Sequence, residues 1–140
     1  MWPSPPRHFA SHNNARQKVL ENQAALLSLG IVLGHRRVAD LAGSPDAARQ
    51  WYIARQKIGN VAIRGRGDWT QHFCVSAALE VMSDKATSDM IGVLKEEIDS
   101  GGGSGFSFGD LLADRAGTLF AESATRNETA ARKMQERFAG

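Results

Sequence analysis

The chain has one cysteine, Cys74, in 140 residues, so neither an intramolecular disulfide nor a cysteine zinc cluster can form. Cys74 stands in an apolar run with no basic group at its own helical spacing. That reads as a small buried hydrophobe and not as a nucleophile. Neither sign of charge prevails: 17 Lys and Arg against 15 Asp and Glu leave +2. Arg36-Arg37 and Arg64-Gly65-Arg66 are short clusters, so no electrostatic stripe for nucleic acid is expected.

Long hydrophobic runs are also missing. Ala24 to Leu33 is interrupted by Ser28 and Gly30 and is too short to span a bilayer. Met1-Trp2-Pro3-Ser4-Pro5-Pro6 carries prolines where a secretory signal would need its apolar region. The chain is therefore expected to be soluble, and cytoplasmic by the absence of a signal. There is no HExxH, no GxSxG and no internal repeat. His8, His12 and His35 lie far upstream of the fourth histidine, His72.

What is present is helical periodicity. Residues 1–12, with Pro3, Pro5 and Pro6, read as a mobile arm, and 13–140 as a single helical domain. Asn13 or Asn14 can cap a helix reaching about Gly34, and a short helical piece follows through Val38 to Leu41. Ser44 can cap and Pro45 open a helix to Ile58, with Trp51, Ile53, Ala54 and Ile58 buried. Asp68 can cap the next helix, to Met82, and Ser83 or Asp84 opens another that ends near Asp99. A glycine-serine loop leads to Ser107, which caps a helix to Ser123, and a last amphipathic helix runs from Asn127 to Phe138. The expected fold is an all-α bundle of five or six helices.

The helix from Asp68 to Met82 is apolar around most of its circumference, which marks it as buried. Asp68, His72 and Ser76 nevertheless share one stripe at i, i+4, i+8, continued by Glu80. Polar groups on a buried helix need partners, since an unsatisfied one costs about 1–3 kcal/mol. Carboxylates on other helices can supply them. Asp110 and Asp114 lie one turn apart, beside Gly117 and Ala121, on a face that lets a second backbone come close. The apolar side of that helix is expected at Leu112, Ala116, Leu119 and Phe120. The intervening helix offers Glu96 or Glu97, and periodicity does not choose between them. Asp68 reads mainly as a cap, Asp110 as a cap-region charge or a site residue, and Ser76 as a packing hydroxyl. Asp114 is too deep in its helix for capping or the dipole to explain it. Glu122, Glu128, Arg132, Lys133 and Glu136 read as a solvated face.

The ordered segments Asp68-x3-His72-Phe73, Lys95-Glu96-x2-Asp99 and Phe106-Ser107-x2-Asp110-x3-Asp114-x2-Gly117 resemble those of small bacterial envelope proteins related to the YfiM lipoproteins, and more distantly VanZ-like proteins. The resemblance covers about residues 66–120. It implies a shared polar set of His72, Glu96, Asp99, Asp110 and Asp114, favours Glu96 over Glu97, and implies association with the envelope. It implies no activity.

Three functions are compatible with such a cluster. A hydrolase would use His72, Glu96, Asp110 and Asp114 for acid–base chemistry, or hold a divalent metal on His72, Glu96, Asp99 and Asp114. A non-catalytic module would use the cluster to fix helix packing and present its surface to a protein partner. A pH or metal sensor would use the histidine's titration.

Overall fold

The computed structural model describes residues 16–43, 46–82, 88–101 and 107–140, with backbone alone at 47, 48, 88–90, 93, 99 and 101. The expected arm, the caps at Asn13 or Asn14, Ser44-Pro45, Ser83 or Asp84, and most of the glycine-serine loop lie outside the described residues. The described residues form seven α-helices: α1 Gln17–Leu29, α2 Arg37–Leu41, α3 Ala47–Ile58, α4 Gly67–Val81, α5 Ser88–Gly101, α6 Phe108–Thr125 and α7 Glu128–Ala139. Gly30–Gly34 extends α1 as a π-helical turn. The fold is all-α, as periodicity predicts; among the described residues the only extended pairing is an isolated bridge between Ile63 and Arg66. No described helix is long and apolar enough to cross a membrane.

The near-uniform apolarity of α4 makes it the central helix. Its Val75, Ala78 and Leu79 join Val38 of α2 and Leu94 and Ile98 of α5 in one core cluster. On its opposite flank Ala77 meets Leu26 of α1 and Ala121 and Ala124 of α6 in a second. Its most extensive partner is α6, and the approach is backbone to backbone. A Cβ built on Gly117 would fall far inside contact with the carbonyl oxygen of Phe73. The π turn approaches α4 through Gly30, where a Cβ would overlap that of Ala78.

This close crossing turns most of the expected apolar side of α6 outward, although Phe120 is half-buried against the second core cluster. The buried residues are Asp110, Ala113, Gly117, Ala121 and Ala124. Leu112 is 62% and Leu119 43% exposed, and Ala116 is also exposed. Small residues win the interior here because the neighbouring surface is a backbone, which leucine side chains would hold away. In α3 the expected core likewise does not form: Ile53 and Ile58 are 46% and 47% exposed, and Trp51 and Ala54 only partly covered.

One helix start and one residue read as solvated depart from expectation. For α4 the cap residue is Arg66, and Asp68 sits inside the first turn, where Arg66 Nε donates to its Oδ1 at 2.9 Å. Its negative charge there complements the helix dipole. For α1, Glu128 of α7 accepts from the backbone N–H of Lys18 at 3.1 Å and of Val19 at 3.4 Å. Glu128 is thus no part of a solvated face; it supplies from another helix the cap that Arg16 lacks. Glu128→Ala is expected to cost about 1 kcal/mol, the usual worth of an N-cap. The melting temperature should then drop by roughly 3 °C, whereas exposed Glu136→Ala should leave it unchanged.

Candidate functional site

The site forms where the polar stripe of α4 faces the small-residue face of α6. Helical spacing carries His72 and Ser76 to the same side, and both are buried, at 8% and 7% exposure. The imidazole Nδ1 lies 3.0 Å from Asp114 Oδ1, and Ser76 Oγ donates to the same oxygen at 2.9 Å. An ionised carboxylate only accepts, so ring Nδ1 carries a hydrogen. The other ring nitrogen, Nε2, faces Asp110 Oδ1 at 3.8 Å. The imidazole thus stands between two carboxylates, one at each nitrogen.

Asp110 has a second duty. Its Oδ2 accepts from the backbone N–H of Ser107 at 3.0 Å, while Ser107 Oγ accepts from the Asp110 N–H at 3.1 Å. This reciprocal capping box opens α6. It bears out Ser107 as the cap, and it merges the two sequence readings of Asp110: cap-region charge and site residue at once. Asp110 Oδ1 is buried and has no hydrogen-bond partner among the described residues, and the same is true of Trp69 Nε1. Trp69 packs on Gly109, and the Arg66 guanidinium lies over its ring at 5.0 Å. The pairing with Asp68 raises the pKa of Arg66, and the Asp110 charge adds to this.

A cavity of about 140 Å³ opens on the cluster, lined by His72, Val75, Ser76, Lys95, Ile98, Leu111 and Asp114. With a water's share of liquid near 30 Å³, it holds a few waters or one small substituent. Asp114 is the more accessible carboxylate, 26% exposed against 10% for Asp110. Its Oδ1 is held by His72 and Ser76, and its Oδ2 makes no hydrogen bond among the described residues. A larger cleft of about 470 Å³ between α1, α6 and α7 is lined by Asn, Gln and apolar residues such as Leu26, Phe120 and Met134, without a titratable group.

The glutamates do not join the cluster. Glu96 is exposed and Lys95, its neighbour, faces the cavity instead. Glu97 pairs with Arg37 Nη2 at 2.9 Å and lies 4.0 Å from His35 Nε2, on the side of α2. Burial holds the His35 pKa below its ordinary value against the pull of Glu97. The side chain of Asp99 lies outside the described residues. Among the described residues no group of three or more His, Cys, Asp or Glu is placed to hold a metal ion, so His72, Glu96 and Asp114 are not assembled as one there. Ser76 is a donor to Asp114 and more than a packing hydroxyl. Lys95 was the residue that the pattern could have flagged, since it lies three residues before buried Ile98 and one after buried Leu94, at the edge of the inward face.

Cys74 lies beside the site on α4 and is buried, and burial pushes its thiol up to about 11. It is expected to resist iodoacetamide at pH 8 in the folded protein and to react fully in denaturant. Rapid labelling of the native chain would overturn the reading of Cys74 as a packing residue.

Comparison with protein-family models, with curated proteins and with solved structures finds no match for this chain.

Proposed function

We propose that this site is a hydrolytic acid–base centre, in which Asp114 exchanges a proton with the substrate or with the attacking water. His72 and Ser76 hold its Oδ1, Asp110 stands behind the ring, and Lys95 offers a positive charge to an anionic or developing-anion oxygen. The observation that supports this most is the asymmetry of Asp114: one oxygen is fixed by two hydrogen bonds, while the other makes none among the described residues and the side chain lines a cavity. His72 becomes the positioning residue and the carboxylate the group that meets substrate, the reverse of the roles that a lone histidine suggests.

A packing role is the second reading, favoured by the capping box that commits Asp110 to the start of α6. Asp114→Asn separates the two. An asparagine oxygen still accepts from Ser76 and His72, so the fold should hold, but it cannot take a proton. The purified chain is to be tested on p-nitrophenyl acetate, p-nitrophenyl phosphate and a p-nitrophenyl glycoside. Turnover of at least one, falling roughly 100-fold or more in Asp114→Asn at unchanged melting temperature, is expected. No turnover by the wild type, or equal turnover by the variant, assigns the cluster to packing.

A further inference from the structure

Helix α3 stands apart from the bundle. It packs against the π turn and α2, and none of its described residues is buried. Twelve residues are near the lower limit for a helix in water, and most helices owe their stability to a covered face. What α3 and the turn after it expose is a mixture of aliphatic, aromatic and basic side chains. Tyr52 is 59% exposed, Ile53 46%, Ile58 47%, Val61 39% and Ile63 36%. Residues 47–67 hold five cations, Arg49, Arg55, Lys57, Arg64 and Arg66, and no acidic residue. With the flanking Asp46 and Asp68 counted, residues 46–68 carry +3 and the remaining residues −1, so the positive charge is concentrated on this segment. Arg66 is paired with Asp68; the other four make no ion pair among the described residues.

Helical spacing places Arg49, Ile53 and Lys57 on one outward stripe with Tyr52 beside it. That alternation suits a lipid headgroup layer. Long basic side chains bend up to phosphates while the isoleucine and tyrosine enter the acyl boundary. A nucleic-acid backbone would use the cations but give exposed Ile53, Ile58, Val61 and Ile63 nothing to bury against.

We propose that α3 and the turn through Arg66 form a docking surface for an anionic lipid bilayer. The test is co-sedimentation of the full chain with vesicles of phosphatidylcholine alone and with about 30% phosphatidylglycerol, in low and in about 0.5 M salt. Binding is expected to the anionic vesicles only, and to be lost in high salt. Arg49→Ala with Lys57→Ala should weaken it roughly thirtyfold, and Ile53→Ser should weaken it several-fold. These side chains are exposed, so circular dichroism and melting should not change. Equal binding to both kinds of vesicle, or binding to neither, overturns the proposal. So does a duplex oligonucleotide bound as tightly as the anionic vesicles, or an Ile53→Ser variant that binds like the wild type, which would leave a bare polyanion contact.

Discussion

Changing Gly117 to alanine is expected to lower stability by about 3 kcal/mol, the upper part of the range for overfilling a tight interior. Two effects oppose each other. Alanine is the better helix former by about 1 kcal/mol, and Gly117 lies in the middle of α6. Against this, the new Cβ collides with the Phe73 carbonyl, a backbone atom in the middle of α4 that cannot rotate away. Relief requires the two helices to separate, which also pulls Asp114 from His72. Gly92 provides the contrast. It lies inside α5, and among the described residues a Cβ there meets nothing within 4 Å. Gly92→Ala should therefore raise stability, by up to about 1 kcal/mol. Chemical unfolding of both variants measures the signs directly. Two stabilised variants would mean that the α4–α6 crossing is wider than described.

His72→Ala should have an effect of similar size, about 3–4 kcal/mol, for a different reason. The substitution empties a buried ring volume and removes the donor to Asp114. Two carboxylates are then left without the group that separates them. A melting temperature lower by roughly 10 °C is expected. His72→Ala and Asp114→Ala together should cost less than the sum of the two, with a coupling of about 1–3 kcal/mol, as for groups in one network. Strict additivity would show that the 3.0 Å contact contributes nothing to the fold. Near-normal melting of His72→Ala would remove the packing role altogether.

The elements legible from local pattern were those whose signals are themselves local. Ser107 and Asn127 cap their helices through contacts three residues away. Gly117 and Ala121 beside Asp114 announced a close helix crossing, and the stripe of His72 and Ser76 announced a partner. What periodicity could not supply was the identity of the neighbour. Leucines at helical spacing on α6 look like a core face until a bare backbone is found opposite the glycine. Glu128 looks solvated until the first helix presents its unpaired N–H groups. Glu96 and Lys95 differ by one residue, a turn of about 100° on the helix, and that turn decides which of them reaches the cavity.

The capping box ties the site to a helix end, where local opening generally starts. Helix ends fray with far smaller free energies than global unfolding, and Asp110 is both the closing residue of the first turn of α6 and the carboxylate facing His72 Nε2. Each excursion of that turn therefore carries one wall of the imidazole's surroundings with it. Amide hydrogen exchange at Asp110 and Leu111 would report the lifetime of the assembled cluster. The order of that wall is only as persistent as one turn of helix.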